Sequence, residues 1–369
     1  MKSVWFYYIQ TFKDICKNLS VLATLILSLF FYSIFYPTAY KAQVADFLPI
    51  VIVDEQPSIL TSKIINSVSE SPNVDVYAVV ANFETAKALV QAQKADAILY
   101  LPNNLAQSIR RGENSGVGLY LNATNFVAAK QSAAGIAVGI EQVIFNYFQP
   151  ILDSNLIRTP SIPIHKVPLF NVIDGYGSYV FPAIAPLIVH QTIFLGLGIL
   201  IAAYVRDKKW TGDPKQYLGV FLMITTIGCL GAFYLFGFAF WFNGYPNGGN
   251  LWGMLLATPI FVACVVTFAL LVASFLDCPE RIGHIWVPTS VPIFMLSGTS
   301  WPHSAMPTWI EYFAISLPST QGIQMFIQLN QMGVPTDLII PRLLYLLLLT
   351  AIFTIFSYYR LVYKFKNVL

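Results

Sequence analysis

The last third of the chain interrupts its apolar runs with prolines in a way that a simple membrane anchor does not need. Residues 285–301 are apolar but hold Pro288 and Pro292 and close on Ser297-Gly298. Pro302, Pro307 and Pro318 follow, around a broken apolar stretch at 309–326. Only after Pro341 does an uninterrupted apolar run return, at 343–356. Non-helical backbone at membrane depth must be buried in protein or line a cavity, because lipid gives its N–H and C=O groups no partner. The pattern predicts a conduit rather than a tether, with 302–341 dipping back into the bilayer as a re-entrant segment.

Composition sets the class. Of 369 residues, 56% are hydrophobic and 11% charged, against roughly 25% charged in soluble domains. Apolar runs at 19–36, 179–205, 218–242, 252–276, 285–301 and 343–359 predict six transmembrane helices in an α-helical integral membrane protein. About 20 helical residues cross about 30 Å of hydrocarbon. Basic residues gather beside these runs: Lys13 and Lys17, then Arg206, Lys208, Lys209 and Lys215, then Arg281, then Arg360, Lys364 and Lys366. The connection 243–250 has none. Cytoplasmic loops are enriched in Lys and Arg, so both termini are expected inside. Cys16, Cys229, Cys264 and Cys278 fall in spans or on the inner side, and no pair has zinc-site spacing.

The chain divides into three parts. Residues 1–41 combine an amphipathic interfacial helix with the first span. Trp5, Tyr8, Ile9, Phe12, Cys16 and Leu19 lie on one face at helical spacing, with Gln10, Lys13, Asp14 and Lys17 opposite. The first span is expected to stop at Pro37. Residues 42–172 have ordinary soluble composition and alternate short β runs (48–53, 74–80, 95–101, 117–121) with helical stretches (58–69, 83–93, 105–111). That alternation predicts an inserted α/β extracytoplasmic domain with a largely parallel sheet. A long helical stretch at 126–152 and a proline-containing return at 160–172 follow. Residues 173–369 hold the other five spans and the re-entrant segment.

There is no G-x-x-x-x-G-K-[ST] phosphate loop, no H-E-x-x-H and no G-x-S-x-G. No catalytic residue and no metal site are therefore assigned. Asp54 and Glu55 are adjacent at a strand end, so they point to opposite faces, and His165 stands alone. Within the spans the main ionisable group is His190, and an intramembrane ionisable residue is a functional candidate by default. Glu311 lies in the re-entrant stretch, where it needs a partner or a wet cavity. With no buried carboxylates to carry a proton cycle, energy has to come from a separate subunit.

Four features together resemble ABC-2-type transporter permeases that carry a large external domain between their first two spans. Leu48-Pro-Ile-Val-Ile-Val-Asp54, followed by Ser58 and a helix, is similar to the strand that opens that domain. Ala97-Ile-Leu-Tyr-Leu-Pro102, with a helix ending Arg110-Arg111-Gly112, is similar to the family's strand, Pro, helix, basic residue, Gly passage. Leu296-Ser-Gly-Thr-Ser-Trp-Pro302, with Met306-Pro307 and Leu317-Pro318, resembles the S-G-x-x-x-P…M-P…P signature after the fifth span. The order of amphipathic helix, span, insert, five spans and basic tail is the fourth feature. The family's Arg-Glu-rich stretch before Gly-Thr is here Arg206-Asp-Lys-Lys-Trp-Thr-Gly212.

The resemblance implies a permease subunit of an ATP-driven exporter in a bacterial cytoplasmic (inner) membrane. Its implied partners are cytoplasmic ABC ATPase subunits and a second permease protomer, identical or a sister chain. A periplasmic adaptor is a further candidate partner for the insert, and no nucleic acid is expected. ATP and Mg would sit on the ATPase, with no cofactor on this chain. Lys13, Lys17, Arg206, Lys208, Lys209, Thr211 and Gly212 are the expected ATPase-coupling residues. Ser297, Gly298, Pro302, Met306, Pro307, Glu311 and Pro318 form the expected re-entrant motif, and His190 is the polar residue of the pathway. Phe294, Met295, Trp301, Met325 and Phe326 are candidate pathway linings for a hydrophobic or amphipathic cargo. Two other readings stay open: a membrane-anchored scaffold or receptor whose insert binds a partner, and an intramembrane enzyme acting through His190, His284 or His303.

Overall fold

The computed structural model describes residues 2–41, 48–71, 74–111, 116–122, 133, 136, 137, 140, 143, 170–171, 175–245 and 247–365. The expected helix at 126–152, its return at 160–169, Gly112 and His165 lie wholly or mostly outside these residues. The chain forms two compact units, one of residues 1–41 and 168–369, the other of residues 42–167.

In the smaller unit β1 (Leu48–Asp54), α3 (Ile59–Ser69), β2 (Val74–Val80), α4 (Phe83–Gln91), β3 (Ala97–Leu101), α5 (Leu105–Arg111) and β4 (Gly118–Leu121) follow in order; the helices α1 and α2, given below, precede them. The sheet order is β2-β1-β3-β4. β1 pairs parallel with both neighbours, and β4 closes the edge antiparallel to β3. The unbroken apolar run of β1 follows from its central place. Ile50 and Ile52 pack with Leu60, Ile64 and Val68 on one face, and Val51 and Val53 pack with Ala86 and Ile98 on the other. Ser58 caps α3 in a reciprocal box with Thr61. The two acidic neighbours part as the pleat requires: Asp54 is buried, while Glu55 accepts from Tyr100 Oη at 2.7 Å.

The larger unit begins with α1 (Val4–Lys17). Five helices are long and apolar enough to cross a membrane: α2 (Leu19–Ala39), α6 (Tyr176–Arg206), α7 (Pro214–Phe242), α8 (Leu251–Ala273) and α12 (Thr336–Lys364). Between α8 and α12 lie three shorter ones, α9 (Arg281–Met295), α10 (Thr308–Ile315) and α11 (Pro318–Phe326). Over its most apolar stretch α6 is 78% buried, against 22% for α2 and for α12. α6 is thus the central post, and the first and last long helices are its rim.

Several boundaries differ from the sequence expectation. Pro37 lies inside α2, which runs on to Ala39; a proline near a helix end removes one backbone bond without stopping the helix. The expected span at 285–301 is instead α9, 15 residues long with Pro288 and Pro292 inside it. At 1.5 Å per residue it reaches about 22 Å, short of the hydrocarbon thickness. The expected re-entrant segment ends early as well, since 336–341 belongs to α12 and Pro341 sits within that helix. π-helical turns widen the long helices at Ala23–Leu27, Tyr234–Ala239 and Tyr359–Lys364, and one continues α11 at Ile327–Gln331.

α11 is held tightly in the interior: Pro318–Ile323, Met325 and Phe326 are all buried. Gly322 permits this, because a Cβ there would meet the Phe261 ring at 2.2 Å, and Phe261 is itself fully buried. Gly322→Ala is expected to cost about 1–3 kcal/mol through overpacking. Gly237→Ala, with nothing within 4 Å of the new atom, is expected to be neutral or stabilising by up to about 1 kcal/mol. Thermal unfolding of the two variants in detergent checks the contrast.

Candidate functional site

Two regions hold the candidate functional residues, one at the basic end of the membrane unit and one in the broken segment 296–335.

At the basic end α1 docks along one edge. Tyr7, Thr11, Asp14 and Ile15 face protein, whereas Trp5, Phe12, Cys16 and Leu19 stay exposed. Asp14 therefore does not lie on a solvated polar face as expected from its spacing. Its Oδ2 accepts from Tyr204 Oη on α6 at 2.8 Å, and its Oδ1 accepts from Gln10 Nε2 at 2.9 Å. Tyr7 Oη donates to Asp213 Oδ2 at 3.3 Å. Burial, then the neighbouring Asp213 carboxylate, push the Tyr7 phenol above its ordinary value against the opposing pull of Thr211, so it stays a protonated donor at neutral pH. Gly219 on α7 lets the helices touch, since a Cβ there would lie 2.6 Å from Tyr7 Cβ. The exposed apolar side is left free for the membrane interface, as such helices require.

The connection between α6 and α7 is built to the same plan. Arg206, Lys208 and Lys209 point to solvent, with Arg206 Nε 3.0 Å and Lys209 Nζ 3.9 Å from the Asp207 carboxylate. Lys208 and Gly212 adopt positive φ, +57° and +67°. Thr211 donates both its backbone N–H and its hydroxyl to Gln216 Oε1 at 2.8 Å. Asp213 caps α7 by accepting from Lys215 N at 2.9 Å. Trp210 anchors the loop: it is 2% exposed and donates from Nε1 to Leu361 O in the last helix at 2.8 Å. Arg360, one residue earlier, donates to Ser274 at the C-terminus of α8 and lies 3.7 Å from the Phe275 ring centroid. Lys13 and Lys17 are exposed on α1, which is joined to this loop through Tyr7 and to α6 through Asp14. The structure thus brings the expected coupling residues into one rigid assembly. Sequence reasoning missed Trp210, Asp14 and Tyr204, which hold it; a lone Trp in a charged loop is the signal that could have found the first.

In the broken segment, side-chain amides close the helix breaks. Ser297 Oγ bonds Phe294 O at 2.6 Å and Thr299 Oγ1 at 2.7 Å. Gly298 has φ +83°, and a Cβ there would lie 2.6 Å from His303 Nε2, so only glycine fits. His303 Nε2 is 3.1 Å from Leu296 O, and Gln324 Nε2 donates to Ser297 O at 2.8 Å. Pro302 and Met306 flank a 3-10 turn at His303–Ala305. Pro307 caps α10, its carbonyl accepting from Ile310 and from Glu311. Pro318 opens α11 at a position where its missing N–H is not needed. Glu311 is half-buried and makes no ion pair among the described residues.

An apolar cleft of about 210 Å³ runs beside α9, lined by Phe194, Phe268, Trp286, Pro292, Phe313 and Leu317 among others. None of the five aromatic and methionine residues expected along a pathway lines it. Met325 and Phe326 are core residues, with Phe326 4.3 Å from Phe236 and 5.4 Å from Phe261 between ring centroids. Met295 and Trp301 are exposed. His190 lies behind the cleft wall, 1% exposed, with ring centroids of Phe194, Phe268 and Trp286 at 6.0, 5.8 and 5.7 Å. Neither of its nitrogens has a hydrogen-bond partner among the described residues. Arg342, an ionisable residue inside α12, also escaped the sequence reading. It is half-buried and donates to Gln321 Oε1 at 3.1 Å.

Trp210→Ala is expected to free the α6–α7 connection, at a cost of about 3–5 kcal/mol for the lost buried ring. Trp210→Phe, losing mainly the Nε1 bond, should cost roughly 0.5–1.5 kcal/mol. Limited trypsin digestion in detergent reads this as faster cleavage at Lys208 and Lys209, strongly for the alanine variant and weakly for the phenylalanine one.

The sequence model of ABC-2 family transporter proteins matches residues 19–359 of this chain. No curated protein and no solved structure gives a match. The match runs from the start of α2 into the last turns of α12, across the insert between α2 and α6 and the Ser-Gly/Pro segment whose geometry is described above. The chain belongs to the ABC-2 transporter family.

Proposed function

We propose that this chain is the permease subunit of an ATP-driven exporter that moves a hydrophobic or amphipathic molecule across a bacterial cytoplasmic membrane. The family already implies a partner ATPase. The observation that carries the reading further is the assembly at the basic end. α1 and the α6–α7 connection present Lys13, Lys17, Arg206, Lys208 and Lys209 outward; α1 is fastened to α6, the most buried long helix, by Asp14–Tyr204 and to the connection by Tyr7–Asp213. A push on that surface from a nucleotide-driven partner passes into the core of the membrane unit rather than into a loose tail. With the basic end cytoplasmic, both termini lie inside and the α/β insert lies outside.

In this reading α9, α10 and α11 act together as the sixth crossing: α9 rises short of the far side, and α10 and α11 form a re-entrant hairpin with Pro318 at its tip. The apolar cleft beside α9 suits an alkyl or aromatic cargo and offers nothing to a polar ion. Two copies, identical or sister chains, would present their less buried helices to each other and to lipid.

Gentle extraction of the tagged chain is expected to bring down a nucleotide-binding ATPase. Lys208→Glu with Lys209→Glu should weaken that retention by roughly fivefold, the effect of reversing exposed interface charges. Asp14→Ala should leave the ATPase bound but lower export, because the fastening and not the surface is lost. Absence of any ATPase under these conditions would sink the exporter reading. Unchanged export in Gly298→Ala, whose glycine the turn requires, would favour a scaffold instead.

A further inference from the structure

Arg342 is the only Lys or Arg between Arg281 and Arg360, and it sits well inside a long apolar helix. It is the seventh residue of α12, about 9 Å along the helix from its start. The uninterrupted apolar run begins immediately after it, at Leu343. The rise from Arg342 to Arg360 is about 27 Å, close to the roughly 30 Å of a hydrocarbon core. The two arginines thus bracket the apolar length of the last helix, but only one of them is satisfied by the protein. Arg360 has two contacts to Ser274 and the face of Phe275. Among the described residues Arg342 has one neutral acceptor, Gln321 Oε1 at 3.1 Å.

A guanidinium carries five N–H donors and stays charged, so Gln321 leaves four donors and the whole charge unmet. The acids nearest in sequence, Glu311 and Asp337, make no ion pair with it, and no other carboxylate among the described residues does. Gln321 is itself 5% exposed and fixed by donating from Nε2 to Ile315 O at 3.1 Å. The guanidinium is therefore oriented, not free to sweep. One turn earlier on the same face of α12, Leu338 is 65% exposed, so the approach to the guanidinium is flanked on that side by an apolar side chain. A free anion in water gains nothing from such a flank; an anion carrying alkyl chains does.

We propose that Arg342, held by Gln321, is a binding site for the phosphate headgroup of an anionic phospholipid of the surrounding bilayer, with an acyl chain lying along Leu338. A phosphate oxygen pair matches the guanidinium fork, and the site lies at the boundary of the apolar run, where headgroup phosphates sit. The site stands apart from the transport reading, since it needs neither ATPase nor cargo.

The test is native mass spectrometry of the full chain released from nanodiscs of equal phosphatidylglycerol and phosphatidylcholine. Wild type is expected to retain phosphatidylglycerol in preference to phosphatidylcholine. R342Q should lower that retention by roughly tenfold, the scale of one lost charge-assisted contact. R342K should fall between the two, because it keeps the charge and loses the fork. Lys41→Gln, an exposed cation of the same unit, should change nothing. Equal retention by R342Q and wild type overturns the proposal, as does an equal loss in the Lys41 variant, which would mean diffuse surface charge. A shift from two copies to one in R342Q with lipid retention unchanged also overturns it, since Arg342 would then serve a second copy. Should R342Q not survive extraction, Q321L carries the comparison: a drop of about threefold supports the site, and unchanged retention overturns it.

Discussion

A helix that stops inside an apolar environment leaves carbonyl groups with no water to accept from, and the membrane unit is arranged around meeting that demand. Between Leu296 and Thr336 the backbone breaks repeatedly, and side-chain amides close the gaps. Gln324 donates to Ser297 O, Gln321 to Ile315 O, Gln331 to Ser178 O and Asn250 to Val334 O. Each bond also ties one segment to another. Gln331 reaches the start of α6, and Asn250 fastens the start of α8 to the start of α12. An unmade bond of this kind costs several kcal/mol in lipid, so the broken segment cannot be loosened one contact at a time. Its prolines and glycines are tolerable because these amides take up carbonyls that the breaks leave open.

The two ends of the membrane unit use different chemistry. The basic end relies on tyrosine–carboxylate pairs and a buried indole, which leave the lysines and Arg206 pointing outward. The opposite end relies on neutral amides, with few charges. Between them the interior is apolar and aromatic, apart from His190 and a few hydroxyls such as those of Ser319 and Thr320, which are also without partners among the described residues. The contrast suits a body that receives a polar partner at one end and handles greasy material in between.

Much of this was legible in the sequence. The strands of the insert announce themselves by β-branched apolar runs, and Ser58 by its capping position. The Ser297-Gly298 turn was visible because a glycine at a proline-rich break has few other uses. The failures share one cause, namely that periodicity records one helix's own faces and not its neighbours. Asp14 looks solvated from its spacing, yet Tyr204, 190 residues away, claims it. Proline was read as a stop at Pro37 and Pro341, where the flanking helix instead continued through the loss of a single bond. Arg342 was overlooked because it abuts the apolar run rather than interrupting it. Phe326 and Met325 read as pathway linings by hydropathy alone, which cannot distinguish a wall from a core.

The π-helical turn at Tyr359–Lys364 holds one residue more than an α-turn of the same rise. Tightening it to α geometry would rotate everything beyond it by about 100° without unwinding the helix. The Leu361 carbonyl that receives Trp210 lies within this turn. A quarter-turn click of the final helix would therefore pull the latch from the α6–α7 connection, so the tail could set how stiffly the basic end is geared to the core.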